Sequence, residues 1–215
     1  MWENEKSSQG VIKIIKTMTK KFGITLIILG LSLASAHAFK ETSPYENYLN
    51  SLKTLSGEFT QINNNGQSVK GTIQISRPGK MRLTYAPPSP LLIIADGKWL
   101  ITKDQEADQV DYVSLDNTPA AFLLRPHVRF SGDVEVVGIL PKEGTTEISL
   151  VRKDESDAGC ITLVFQDNPI VLKEWKVKDA QGLETRVVLS NIKANTPLSL
   201  ELFTFESPNL IQQVF

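Results

Sequence analysis

From Gly57 to Phe205 the apolar residues of this chain recur at every second position, in short runs cut by turn residues. Ile73 and Ile75 alternate with Thr72, Gln74 and Ser76; Met81, Leu83 and Tyr85 alternate with Arg82 and Thr84. Successive side chains of a strand point to opposite faces, so this period builds strands with one apolar face. Asn63-Asn64-Asn65-Gly66 and Pro78-Gly79 have the chemistry of hairpin turns. Asp96-Gly97, Gly144, Asp157-Ala158-Gly159, Asp167-Asn168-Pro169 and Gln181-Gly182 punctuate the rest. Between them lie strands around Phe59 and Gln61, Leu91 to Ala95, Trp99 and Ile101, and Val110 to Val113. The second half adds Val134 and Val136, Ile148 to Val151, Ile161 to Phe165, Ile170 to Leu172, Trp175 and Val177, and Val187 and Leu189. Leu200, Leu202, Phe203 and Phe205 close the series. About ten short strands at this spacing predict a single antiparallel sheet, sandwich or barrel. Neither an internal repeat nor a linker divides it.

Two segments break the period of two. Ser43-Pro44-Tyr45-Glu46 reads as a helix start, with Ser43 as cap, Pro44 in the first turn and Glu46 completing a capping box. Tyr45, Leu49, Leu52 and Leu55 follow at helical spacing, and Gly57 ends the helix. The second start is Asp116-Asn117-Thr118-Pro119; Ala120-Ala121-Phe122-Leu123-Leu124 follows and Pro126 stops it. That helix has almost no polar face, so it must be covered on all sides. Two readings fit: a plug of ordinary core at a barrel end, or a lid over an apolar cavity whose contents change.

The first segment reads as an address. Lys20 and Lys21 precede an apolar stretch from Phe22 to Leu33, and Ala36-His37-Ala38 matches a small-x-small cleavage site before Phe39. The uncharged stretch is short for the roughly 20 residues of a bilayer span. No cysteine follows it, so the mature chain has no site for lipid attachment there. Met18 begins a signal of ordinary length. The expected product is one soluble periplasmic domain, residues 39–215. Loss of five lysines and two glutamates with the leader takes the net charge from −1 to −4.

Composition removes several functions. A near-neutral to acidic chain lacks the basic stripe of a nucleic-acid binder. Cys160 is the sole cysteine, so no intramolecular disulfide or multi-cysteine zinc site exists. His127 is the one histidine outside the leader, which leaves a hydrolase acting on an acyl substrate a single base to work with. Asp104, Glu106, Asp108 and Asp111 surround a hairpin with Lys103 and read as a solvated loop. No phosphate loop or nucleophile elbow is present. Neither catalysis nor a metal or cofactor is expected.

The run from Gly71 to Tyr85, with Arg77-Pro78-Gly79-Lys80-Met81 at its centre, resembles the outer-membrane lipoprotein carrier protein (LolA-like) family. Further segments resemble it in the same order: Phe59-Thr60-Gln61, Leu92 to Leu100 with Asp96-Gly97, Thr118 to Leu124, and Phe203-Thr204-Phe205 as a late strand. The resemblance implies a mainly β fold: an incomplete antiparallel half-barrel of ten or eleven strands, with short helices forming a lid over an apolar cavity. It implies a non-catalytic periplasmic monomer carrying triacylated lipoproteins. They come from an ATP-driven inner-membrane release complex and go to an outer-membrane receptor lipoprotein. It assigns Arg77 as a lid latch and Pro119, Ala120, Phe122, Leu123 and Leu124 as the lid helix. Arg77 is expected to donate to lid carbonyls, including those at the end of helix 119–124. Met81 stands where the family has an aromatic, a departure that keeps apolar contact. Met81, Leu83, Tyr85, Leu92, Ile94, Trp99 and Phe122 are the candidates for the cavity wall. Alternation alone does not say which strand face is concave. A periplasmic lipid- or glycolipid-binding sensor or carrier on the same half-barrel is the competing function.

Overall fold

The alternation resolves into eleven antiparallel strands in one sheet, ordered β6-β5-β4-β3-β2-β1-β11-β10-β9-β8-β7. A computed structural model describes residues 33–154 and 159–206. Met18, most of the leader and the turn at Asp157-Ala158 lie outside them. The strands are β1 (Thr54–Ile62), β2 (Ser68–Ser76), β3 (Lys80–Tyr85), β4 (Leu91–Asp96), β5 (Trp99–Asp104) and β6 (Gln109–Ser114). After a 3-10 turn (Leu115–Asn117) and helix α2 (Pro119–Leu124) come β7 (Val134–Lys142), β8 (Thr145–Arg152), β9 (Gly159–Asp167), β10 (Ile170–Asp179) and β11 (Glu184–Ala194). Helix α1 (Leu33–Ser51) precedes them and a 3-10 turn (Leu200–Phe203) follows.

Each strand pairs with its sequence neighbours except at the centre, where β1 joins β11 and welds the two halves together. Strands β6 and β7 end the order without meeting, so the sheet is an open half-barrel. Its curl is visible in the core. Ile73 and Met81 of one half share a cluster with Ile148 and Leu163 of the other, together with Leu49 of α1 and Phe122 of α2. A flat sheet could not bring these side chains onto common helices.

The register assigns the faces. Met81 pairs with Ile75 and Ala95, and Leu83 pairs with Ile73 and Ile93. Directly opposed residues share a face, and most of these belong to the core cluster or pack on it. The other parity is convex: Ile94 pairs with Arg82 and Ile101, and Leu92 pairs with Thr84 and Lys103.

Three expected boundaries move. Helix α1 runs through Pro44, so Ser43 is not its cap; the alanine-rich Leu33–Ala38 stretch continues the helix upstream despite the hydrogen bond that proline removes. Gly57 lies in β1 beside a bulge between Ser56 and Glu58, and a Cβ there would come within 2.8 Å of the Ser190 carbonyl. It permits close strand approach and does not stop α1, which ends at Ser51. Leu200–Phe203 is a 3-10 turn and no late strand. Strand β11 already has β1 and β10 on its two sides, so no free edge remains for it. The segment crosses the convex face instead. There the Leu202 carbonyl accepts a hydrogen bond from Arg82 Nη1 (3.0 Å) and Phe203 is fully buried.

Candidate functional site

The concave face is the one surface where strand apolar parity and helices converge. Tyr45, Tyr48, Leu49 and Leu52 of the α1 region lie on it at helical spacing. The Tyr45 hydroxyl lies 2.9 Å from both Thr146 Oγ1 and Asp167 Oδ1, with the carboxylate oxygen as acceptor, and its ring lies 4.9 Å from that of Phe165. Helix α2 starts at Pro119, where a missing N–H costs nothing. Phe122, Leu123 and Leu124 are buried, and Ala120 and Ala121 half-buried. The all-apolar helix is thus covered as its sequence requires.

Few polar ties hold this cap. Where α2 ends, the Leu124 carbonyl accepts from the Gly79 N–H (2.9 Å), in the turn between β2 and β3. Gly79 has φ +76°, and a Cβ on it would meet Gly97 Cα at 2.8 Å, so only glycine lets the two hairpin turns pack here. Arg77 Nη1 donates to the Leu49 carbonyl at 2.5 Å. The expected bond to the end of 119–124 is therefore corrected: Arg77 grips α1, and the backbone of Gly79 grips α2. Arg77 also borders, with Leu49 and Leu123, a gap of only about 20 Å³ between helices and sheet. Burial lowers its pKa to about 10, so it stays charged at neutral pH, and burial raises that of the nearby Tyr48 hydroxyl.

A second set of ties joins the helices to each other. Asn50 Nδ2 donates to the Val128 carbonyl (2.9 Å) while its Oδ1 accepts the Val128 N–H (2.8 Å). One turn earlier on α1, Glu46 accepts the Phe130 N–H (2.5 Å). The loop after α2 is thereby fastened to α1. Val128 is wholly buried, so Asn50→Ala strands two backbone groups, at about 1–3 kcal/mol each. We expect roughly 2–4 kcal/mol lost in urea unfolding, and about half that for Asn50→Asp, which keeps the acceptor. A loss under about 0.5 kcal/mol for Asn50→Ala would show the tie to be idle.

The structure brings together Met81, Leu83 and Tyr85 of the sheet and Phe122 of the cap in one cluster. Leu92, Ile94 and Trp99 sit on the convex parity, apart from them. The expected cavity wall held no residue of the second half, where Ile148, Leu150, Leu163, Phe165, Leu172 and Trp175, expected there only as strand residues, build a second wall. The same alternation marks those strands and could have supplied them. Asn50 was also missed, and Glu46, expected to complete a capping box with Ser43, instead accepts the Phe130 N–H; two polar residues four apart beside an apolar helical stripe were the available signal. Among the described residues, no group of three or more His, Cys, Asp or Glu could hold a metal.

The features together define an open β half-barrel whose apolar concave face is covered by its own tethered helices. The family model for outer membrane lipoprotein carrier protein LolA matches residues 50–206. The chain belongs to the LolA family, which is a carrier family and not an enzyme family. It is 29% identical over 201 residues to an outer-membrane lipoprotein carrier protein of Chromobacterium violaceum, covering 89% of this chain and 95% of the relative. It is 28% identical over 195 residues to an uncharacterized protein of Rickettsia prowazekii, covering 90% of each. Among solved structures it is similar to LolA superfamily protein NE2245 from Nitrosomonas europaea. That match has 12% identity and a TM-score of 0.43, over 79% of this chain and 97% of the other.

Proposed function

We propose that this protein carries triacylated lipoproteins through the periplasm, after its own leader is removed behind Ala38. It receives them from an ATP-driven release complex of the inner membrane and gives them to an outer-membrane receptor lipoprotein. The observation that carries this reading is the concave apolar face, filled by helices that a handful of hydrogen bonds hold in place. Acyl chains take the place of Phe122, Leu123 and Leu124 when α2 lifts, and the helix takes their place when they leave. No bond in the cargo is made or broken.

Magnitudes favour such an exchange over an empty pouch. Three acyl chains of roughly 15 methylenes nominally contribute about 35–40 kcal/mol at about 0.8 kcal/mol each. Non-covalent affinity saturates near 18–21 kcal/mol. Cargo held at that ceiling never leaves. Lifting a packed cap subtracts apolar burial from the gain, so binding stays reversible.

Photocrosslinking in cells tests the reading. A crosslinker at Leu83 or Phe122 should trap triacylated lipoprotein, identified by mass spectrometry, and one at Ile94 on the convex parity should not. Glycolipid or free fatty acid as the trapped and copurified species would instead make the protein a sensor or carrier of another amphiphile.

A further inference from the structure

Between the start of α2 and strands β7 to β9 the structure holds a pocket of about 180 Å³. Its apolar lining is Val134 of β7, Leu150 of β8, Ile161 of β9 and Phe122 of α2. Its polar lining includes Arg125 and Arg152. We infer that this pocket is the entry subsite for the end of one alkyl chain of an amphiphile. The inference rests on the carrier reading above and assigns it an entrance.

Size sets the ligand. An apolar cavity of about 150 Å³ takes a benzene-sized guest and stays dry without one. The gap beside Arg77 is about 20 Å³, too small for any chain segment. The pocket of about 180 Å³ admits a chain end of a few carbons, and further entry requires movement of α2. The polar lining adds Asp116, Asn117 and Thr118 beside the two arginines, so an alkyl end packs on the four hydrocarbon side chains and leaves the polar groups to the head.

The guanidiniums fit an amphiphile's other end. Arg125 forms a two-pronged pair with Asp133 (3.0 and 2.5 Å), and its guanidinium carbon lies 5.2 Å from the Phe122 ring centroid. Arg152 reaches across to the Asp116 carbonyl at a long 3.4 Å and to Asp154 at 3.2 Å. Both are surface-reaching, so a polar head can rest beside them in water while its chain turns inward.

Position gives the subsite a consequence. Phe122 and Leu150 belong both to the pocket lining and to the core cluster. A chain end seated here presses on Phe122, which stacks on Phe130 with centroids 6.2 Å apart. Loading thus starts at the β7–β9 side of the cap, and the first side chain displaced is Phe122.

Cys160, the chain's sole cysteine, is half-buried and lines the same pocket, which makes it a native reporter. Its alkylation by a small maleimide is timed in the purified protein alone, with a tripalmitoylated lipopeptide and with sodium palmitate. Binding of each is measured separately by calorimetry. We expect either ligand to slow alkylation about tenfold or more once bound, and Val134→Trp to weaken palmitate about tenfold with the fold intact. Should Val134→Trp misfold, Ala121→Leu fills the same space from the helix side. Lipopeptide that binds and leaves Cys160 as reactive as before overturns the subsite and spares the carrier reading. Palmitate protecting Cys160 while lipopeptide fails to bind supports the subsite and ends the carrier reading. Binding of neither overturns both.

Discussion

Arg77→Leu will load lipoprotein and hold on to it. The guanidinium reaches from the end of β2 to the Leu49 carbonyl, in the last turn of α1. That carbonyl lies where the helix's own i+4 partners run out, and besides the bond from Arg77 it accepts a long one from the Leu52 N–H (3.3 Å). A hydrogen bond from a charged donor contributes about 1.5–3 kcal/mol to the state that contains it. In the carrier cycle proposed above only the closed form contains it, because there cargo parts α1 and α2 from the sheet to reach Met81 and Leu83. Leucine removes the bond, keeps apolar contact and leaves the closed form less favourable. In that proposed cycle closing expels cargo, so release from the loaded variant should slow by about 10- to 100-fold at unchanged or tighter binding. Transfer of labelled tripalmitoylated lipopeptide to acceptor vesicles measures this directly. Arg77→Lys should fall between, since lysine keeps the charge and loses the planar fork. Release from Arg77→Leu at the normal rate would remove the latch from the mechanism.

Gly71→Ala should be among the most damaging single-methyl additions to the sheet. Register sets Phe59, Gly71 and Tyr85 in one row across β1, β2 and β3. The two aromatic rings close over the glycine, 5.0 Å apart and edge to face. A Cβ on Gly71 would lie 2.3 Å from the Thr84 carbonyl oxygen and 2.6 Å from the Phe59 ring. The ring can swing aside; the carbonyl belongs to the neighbouring strand and cannot. Overpacking typically costs about 1–3 kcal/mol, and a backbone clash belongs at or above the top of that range. Phe59 is 1% exposed, so Phe59→Ala should cost about 3–5 kcal/mol by cavity formation. The double variant should cost less than the two separately, because removing the ring relieves one of the two clashes. Urea unfolding of the three variants gives the cycle. A Gly71→Ala loss under about 0.5 kcal/mol would mean that the strands part easily here.

Strand existence was legible because period two is a local property, and the ten or eleven strands expected are eleven. Facing was legible only in part. Leu91 to Ala95 is apolar at every position because β4 is covered on both sides, by the cap within and by the Leu200–Phe203 turn without. Alternation therefore carried no information where it was most needed, and Leu92, Ile94 and Trp99 could not be told from Ile93 and Ala95. Arg77 stood out through family resemblance, yet its acceptor did not, since a backbone carbonyl has no side-chain signature. Leu49 and Leu124 offer the same kind of oxygen, and only the placement of α1 decides between them. Asn50 shares this difficulty: its partner Val128 lies 78 residues on and contributes backbone alone.

The seam between β1 and β11 has a consequence for how the molecule is made. Thr54, the first residue of β1, bonds Thr196 just past β11, 142 residues later. Contacts that distant form slowly, because a long loop must close before they repay it. A nascent chain that has not yet reached Glu184 offers two bare strand edges, one on β1 and one on β10, at the middle of its future sheet. Exposed edges of that kind recruit other chains. Until its final strand is delivered, this chain carries its greatest exposure at the middle of the sheet and not at its rims.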